Sequence, residues 1–383
     1  MDVAIVGGGI VGCASAYELA RRGADVVVCE KGSIGGGSTE RAAGGIRAQF
    51  STPVNVDLSL ASVRVWESFE ERFGAEIDYR PNGYLFLARE AETAAAFEAN
   101  VAMQNERGAP SELLDPEAAR ERCPGLRADR FVAATYCPLD GFADPHSALQ
   151  AYARAATAEG AEIRTKTAVT DVPTDSTGRV VGVETDDGRI DADYVVNAAG
   201  PWARRVGELA GVSLPIAPKR RQIAVVDPEE PVPETDPLAI DLDTGSYFRP
   251  ERGGEALVGG HFADADPDRD PDAYDGSIDF DWAADAVEAA ADWTTYFGPD
   301  ARIKRGWAGL YAVTPDHHAI LEETVPGLVT AAGFSGHGFQ HAPATGKLVA
   351  ELALDGEASL VDASRLSSAR FEAGEKRTER NVV

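Results

Sequence analysis

Apolar and polar positions along this chain follow two periods, one near 2 and one near 3.6. Residues 3–6 form a short apolar run before Gly7, Gly9 and Gly12, a helical pattern follows, and residues 25–29 form a second apolar run closed by Glu30. That order of strand, helix and strand reads as a βαβ unit. Residues 54–74 carry Val56, Leu60, Val63, Val65 and Trp66 as an apolar stripe among charges, the pattern of an amphipathic helix. "NGYLFLA" at 82–88 reads as a strand and 90–107 as a second amphipathic helix. A short helix is expected within 111–125, opened by a capping signal and stopped by Pro124. A longer helix enters at Asp144 and Pro145 and is followed by a strand. Around Asp187 and Gly188 the alternation is that of a hairpin, which leads into the apolar run 194–198. Strand-like runs recur in "RRQIAVVD", "GSYFRP" and "EALVGGHF" between 219 and 262, and helical spacing returns at 283–297. Near the end an apolar strand at 329–332 meets Gly333, Gly336 and Gly338, and a helical stretch at 339–354 follows.

These elements outline a mixed α/β (α+β) fold. At 383 residues and 44% hydrophobic, the chain can bury a large core and form two domains that share a cleft. No linker or repeat separates them. We therefore expect a discontinuous, Rossmann-like cofactor-binding domain at 1–80, 145–215 and 305–383, interleaved with a mostly β substrate domain at 81–144 and 216–304. The charge balance, 36 Lys and Arg against 63 Asp and Glu, gives −27, which repels phosphate backbones and so argues against a nucleic-acid partner. The acids are densest at 264–282, read as an exposed, hydrated loop. Cys13, Cys29, Cys123 and Cys137 lie far apart without a CxxC pair, so neither a disulfide framework nor a zinc site is expected. No secretory leader and no run of 18 apolar residues is read, so no transmembrane segment and a cytoplasmic location are expected.

The first glycine cluster carries chemistry. Gly7 permits the tight turn after the strand, Gly9 lets backbone approach a pyrophosphate, and Gly12 lets the helix pack closely on the strand. The helix amino terminus then faces the phosphates. Glu30, 18 residues beyond Gly12, is placed to accept hydrogen bonds from ribose hydroxyls, and a carboxylate there repels an extra 2′-phosphate, pointing to FAD or NAD rather than NADP. The next stretch, "KGSIGGGSTERAAGGIRAQFS", is either a mobile connection or a loop that runs beneath an extended cofactor. His337 and His341 share a helical i, i+4 spacing, but no third ligand with suitable spacing follows, so no metal is expected.

Assembled, these segments resemble the D-amino-acid-oxidase superfamily of FAD-dependent amine oxidoreductases, and within it the sarcosine oxidase and archaeal L-proline dehydrogenase beta subunits. The resemblance rests on "AGGIRAQF", "GYLFLA", "PLDGFADP", "VVNAAGPWA", "RGWAGLYAVTPD" and "AAGFSGHGFQHAPATGK" in addition to the first βαβ unit. It selects FAD over NAD. It implies cofactor contacts from Lys31, Ser38, Thr39, Gly44, Gly45, Ile46, Val169, Ala199, Gly200 and Trp202, together with Gly7, Gly9, Gly12 and Glu30. Gly333, Gly336, His337 and Gly338 would form the turn whose backbone amides face the flavin. The resemblance also implies a catalytic set: Arg47 near the reacting amine or its carboxylate, with Arg249 and Arg221 in reserve, His261 over the flavin face, and Tyr247 and Tyr311 as pocket aromatics. Gln340 stands where monomeric sarcosine oxidases have a lysine for the substrate carboxylate. Gly309 and Leu310 replace the cysteine of covalent relatives, which implies non-covalent FAD, and "ERGGEALVGGH" lacks the lysine of oxygen-using relatives.

The reaction so implied is oxidation of the C–N bond of a small amino acid, sarcosine, proline or a D-amino acid, by hydride transfer to flavin N5, giving an imine. Alternatives are the catalytic beta-type subunit of a multi-subunit dehydrogenase, with partner subunits or another electron acceptor, and a non-catalytic FAD-containing assembly protein. With two Met, few Lys and a net charge of −27, the composition is that of a salt-adapted, halophilic protein. Screening of like charges should then raise its melting temperature as salt is added; a melting temperature indifferent to salt would contradict this reading.

Overall fold

The computed structural model describes residues 1–263, 265–372 and 378–382; Asp264, which opens the acidic stretch, lies outside them. Apolar runs with no polar face form the centre of a six-stranded sheet, as strands covered on both sides require. Its order is Ile320–Val325, Leu328–Ala332, Tyr194–Asn197, Asp2–Val6, Asp25–Glu30 and Glu162–Thr165. All neighbours are parallel apart from the Ile320–Val325 and Leu328–Ala332 hairpin at one edge. Ala4, Ile5, Val195, Val196 and Val329 have no exposed surface.

Helix Ile10–Ala20 packs against both Pro145–Ala158 and Gly338–Leu354. The approach is close because side chains are missing at the crossings. A Cβ on Gly12 would stand 1.9 Å from the Gly7 carbonyl oxygen, and one on Gly346 would stand 2.6 Å from that of Ala14.

The second sheet has eight strands, in the order Arg302–Val313, Ala217–Asp227, Ala256–Gly259, Tyr247–Pro250, Leu238–Asp241, Tyr84–Ala88, Ala133–Cys137 and Glu112–Leu114. It is antiparallel except where Leu238–Asp241 runs parallel to Tyr84–Ala88. Its core includes Phe248, whose ring lies 5.4 Å from that of Trp293 at the end of helix Phe280–Trp293. The hairpin expected at Asp187 and Gly188 joins Gly182–Thr185 to Gly188–Asp191 in a three-stranded sheet.

Several expected bounds differ. The helix read over 54–74 is two, Pro53–Glu67 and Phe69–Phe73, parted at Ser68, whose hydroxyl donates to the Arg64 carbonyl and competes with the helical ladder. The short helix is Pro116–Arg122, capped by Asp115 through the Ala118 amide at 2.8 Å, and the residues before it form a strand. The last of the middle helices is Phe280–Trp293 and stops before the extended Thr294. Strand Arg302–Val313 crosses residue 305 and belongs to the eight-stranded sheet. The helix expected at 339–354 begins at Gly338.

Replacing Gly346 by Ala should destabilise the fold by about 1–3 kcal/mol, the usual effect of overpacking, because the new methyl meets backbone that cannot swing aside. An unchanged denaturation midpoint for Gly346→Ala would refute that packing.

Candidate active site

A cavity of about 710 Å³ lies between the sheets and is lined by both glycine clusters. Around Glu30 its wall includes Lys31, Val169, Ala199, Gly200 and Trp202. Gly7 holds φ at +111°, and a Cβ there would lie 2.6 Å from the Ala198 carbonyl oxygen, so only glycine fits this crossing. Gly9 caps helix Ile10–Ala20 in extended conformation and faces the cavity. Thr39 Oγ1 accepts the Ile10 amide at 3.1 Å, and Ser38 Oγ donates to the Leu310 carbonyl at 2.6 Å. The Glu30 carboxylate accepts the Gly8 amide at 2.8 Å and the Gly32 amide at 2.7 Å, which fixes it beside the glycine turn. Lys31 lies 3.8 Å from the Trp202 ring centre and pairs with Asp272. A helix amino terminus, a cradle that side chains would fill and a fixed carboxylate suit a dinucleotide.

The second cluster turns the chain from strand Leu328–Ala332 into helix Gly338–Leu354. Gly333 and Gly336 hold φ at +76° and +97°, and a Cβ on Gly336 would strike the Tyr311 ring at 2.3 Å. His337 caps the helix, and Gly338 lines the cavity beside it. Gly44 and Gly45 are equally constrained: added Cβ atoms would lie 2.0 Å from the Ala143 carbonyl oxygen and 1.8 Å from the Tyr84 hydroxyl.

Arg47 reaches the cavity from just beyond that pair. Its amide donates to Gln340 Oε1 at 2.7 Å, tying the early loop to the late helix. Its guanidinium lies 3.9 Å from the Phe50 ring centre and donates to the carbonyls of Gln49, at 2.8 Å, and Asn381. Burial pulls the Arg47 pKa down, while Tyr84, Glu379 and Asp140 favour its charge. Asp140 accepts the Ala48 amide at 2.6 Å and the Gln49 side chain at 2.9 Å, and burial raises its pKa to about 7. Tyr84, Tyr247 and Tyr311 complete this wall, and burial raises all three phenols.

Three expected site residues stand outside the lining. Gly12 lies in the first turn of helix Ile10–Ala20, packed against the Gly7 carbonyl, in the role its spacing suggests. Ile46 is buried in the core beside Trp66 and Tyr152. His261 does not end a strand over the cavity: pairing stops at Gly259, and Gly260, at φ +154°, redirects the chain, leaving the imidazole part-exposed 4.0 Å from Asp266. Of the reserve arginines, Arg221 is on the wall and Arg249 is not; Arg249 donates to the Ala43 carbonyl at 2.6 Å.

The fold and this cradle define a class. The chain belongs to the FAD dependent oxidoreductase family, whose family model matches residues 2–352. It is 34% identical to FAD-dependent oxidoreductase domain-containing protein 1 of Xenopus laevis over 100% of this chain and 85% of that protein. It is 32% identical to glycine oxidase of Geobacillus kaustophilus, over 92% of each. The solved structure of L-proline dehydrogenase from P. horikoshii matches with a TM-score of 0.89 and 34% identity, covering 98% of this chain and 99% of that one. The protein is an FAD-dependent oxidoreductase.

The sequence reading did not place Tyr84, Asp140, Asn381 or Val382 at the site. Tyr84 lay in view as the inward tyrosine of "GYLFLA"; residues 378–382 show no periodic pattern that could have placed them.

Among the described residues no three potential metal ligands cluster. His337 and His341 instead face each other, Nδ1 to Nδ1 at 3.1 Å, with His341 Nε2 2.9 Å from Ser59 Oγ. Burial holds His337 at about 3 and His341 well below its ordinary 6.5. Both are therefore neutral in the fold. Since the folded value of His341 is depressed, its contribution is intact above 6.5 and lost as pH falls below it, because the unfolded chain takes the proton. The stability gap between the parent and His341→Gln should thus narrow on acidification, by up to about 1.4 kcal/mol per pH unit below 6.5. Parallel pH profiles in denaturant titrations would contradict a buried neutral His341.

Proposed function

We propose that this enzyme oxidises the C–N bond of a small amino acid, with Arg47 holding the substrate carboxylate. The observation that carries the reading is a buried guanidinium on the cavity wall beside the late glycine turn. A guanidinium has five N–H donors, so its bonds to two backbone carbonyls do not exhaust it. Its ring contact with Phe50 and the Gln340 tie hold it in one place, as orientation of a small substrate requires. Glycine oxidase and L-proline dehydrogenase, both similar to this chain, are named for substrates of this class.

FAD, when bound, supplies the two-electron acceptor. Gly7, Gly9 and the amino terminus of helix Ile10–Ala20 would receive its pyrophosphate, Glu30 its ribose, and the turn ending at Gly338 its flavin ring. The wall supports non-covalent binding: the lining includes one cysteine among the described residues, Cys29 next to Glu30, and burial raises its thiol to about 11.

The chain's own residues set the state of the amine. The carboxylates on the described wall are Glu30 and Asp272, and both are engaged away from Arg47, with backbone amides and with Lys31, Trp202 and Arg205 respectively. An amine beside Arg47 thus meets a guanidinium and no carboxylate on the described wall, Glu379 and Asp140 standing off the lining and acting on Arg47. This arrangement favours the neutral form whose lone pair the oxidation needs. Tyr84, Tyr247, Leu238 and Ile240 shield that end from water. Strand Ala256–Gly259 carries no lysine, and we infer that an acceptor other than dioxygen takes the electrons.

Anaerobic mixing of the yellow protein with glycine, sarcosine, L-proline and D-amino acids should bleach the visible flavin absorbance with at least one of them. Arg47→Ala should keep FAD yet lower the efficiency of that reduction by about a hundredfold, as loss of one partner of a buried charge pair does. A flavin that none of these amines reduces would overturn the amine reading; unchanged reduction in the variant would remove Arg47 from the substrate.

A further inference from the structure

We propose that residues 378–382 form a strap that positions Arg47 and supplies part of the substrate wall, with Glu379 as its anchor, Asn381 as its positioning residue and Val382 as a specificity-determining residue. The inference rests on the amine-oxidising reading for what Arg47 binds, but the strap itself follows from contacts.

Glu379 is fully buried. Oε1 accepts the Ser51 amide at 2.7 Å, the Ser51 hydroxyl at 2.6 Å and the Asn381 amide at 3.1 Å. Oε2 accepts the Thr52 hydroxyl at 2.6 Å and the Asn55 side chain at 3.1 Å. Thr52 caps helix Pro53–Glu67, so the carboxylate also sits at the favourable pole of a 15-residue helix. Burying a carboxylate is costly unless its lone pairs are filled, and here five donors fill them. The backbone is fixed on the other side as well. The Glu379 amide donates to the Asp316 carbonyl at 3.0 Å, and its carbonyl lies 3.1 Å from His317 Nδ1. His317 holds a left-handed φ of +62°, a conformation that persists only where its surroundings impose it.

What this anchor delivers lies two residues on. The Asn381 carbonyl accepts a guanidinium N–H of Arg47, 334 positions earlier in the chain, and the Asn381 side chain donates to the Gln49 carbonyl at 3.1 Å. Gln49 is the other carbonyl that Arg47 bonds. The strap therefore holds one acceptor of Arg47 directly and braces the second. Val382 then lies on the cavity wall. Without the strap, Arg47 loses a charge-assisted bond, and the wall loses an apolar side chain. A strap of this kind acts on substrate carboxylate rather than on FAD, since the residues around Glu30 and Gly7 make none of these contacts.

Four proteins test it: Glu379→Ala, Glu379→Gln, Val382→Ala and a chain lacking 379–383, each compared with the parent for FAD content, for anaerobic flavin reduction and for the flavin absorbance shift caused by acetate. The expected result is unchanged FAD content, with the substrate concentration for half-maximal reduction and the acetate dissociation constant both raised about tenfold in Glu379→Ala and in the shortened chain, the effect of losing one bond to a charged group. Glu379→Gln, which keeps one accepting oxygen for the Ser51 pair, should recover most of both. Val382→Ala should shift preference towards amino acids with bulkier side chains while leaving acetate binding near that of the parent. If variants with full FAD bind acetate and substrate as the parent does, the strap is refuted, whatever the substrate proves to be. If no amine reduces the parent flavin, the functional reading fails, and the acetate constants alone decide the strap. A general loss of FAD and fold that Glu379→Gln does not rescue would also overturn it, by making the segment merely structural.

Discussion

Everything in this molecule is arranged around places where backbone touches backbone. Helix Ile10–Ala20 is pressed between the parallel sheet and helix Gly338–Leu354, with Gly12 against the Gly7 carbonyl on one side and Gly346 against Ala14 on the other. Neither approach tolerates a methyl group. Because both helices follow strands of one parallel sheet, their amino termini emerge at the carboxyl edge of that sheet, where ligands of open α/β sheets bind. Two helix amino termini therefore open on one cavity, and this, more than any single side chain, suits a long anionic cofactor. The glycines near either end of the sequence are two halves of one packing solution.

The second sheet contributes a different kind of surface. Tyr247 and Tyr84 come from neighbouring parts of its centre, and Leu310 and Tyr311 from the long strand Arg302–Val313, which also receives the Ser38 hydroxyl from the cofactor side. The result is an apolar wall with phenol groups that burial keeps protonated, facing one buried guanidinium. The nearby imidazoles cannot add to that charge, since burial holds His337 and His341 neutral. In a chain of net charge −27, Arg47 is a positive group on this wall, with Asp140 drawn towards its protonated form by burial. Against its burial, bonds from Ser51 and Thr52 lower the pKa of Glu379, whose charge offsets part of that of Arg47. The N–H donors that Arg47 does not commit to Gln49 and Asn381 are what the proposed reading assigns to a substrate carboxylate.

How much of this could be read without coordinates follows from which signals are local. The first βαβ unit, the 187–188 hairpin and the 329–354 strand, turn and helix were legible because period and glycine placement are properties of neighbouring residues. Glu112–Leu114, Ala133–Cys137 and Leu238–Asp241 were not, since short strands inside a large sheet are decided by their partners. His261 shows the same limit at the site: a single glycine at φ +154°, Gly260, turns a residue expected over the cavity towards Asp266. Arg47 was legible through the loop that carries it, whereas what holds it and its neighbours, Asn381 bonded to Arg47 from 334 positions away and Asp140 bonded to Ala48 and Gln49, is visible only once the chain has folded.

The acidic stretch shows what composition leaves out. Residues 265–282 are mostly exposed, as was expected of them, and their acids also pair with basic residues: Asp266 accepts two bonds from Arg221 at 2.8 and 2.9 Å, Asp268 pairs with Lys219 at 2.8 Å, and Asp272 bridges Lys31, Trp202 and Arg205. Exposed pairs of this kind contribute little each. Their arrangement matters more than their sum, because Asp272 reaches over the Glu30 region of the cavity and joins three residues of its wall. Salt acts on such a surface in two directions. Repulsion spread over a charge of −27 operates at long range and is removed once the Debye length falls to about 3 Å near molar salt, whereas pairs in contact are screened less. An acidic protein many of whose cations are held in contact pairs should thus lose mainly repulsion when salt is added, leaving the pairs of its most charged segment in place.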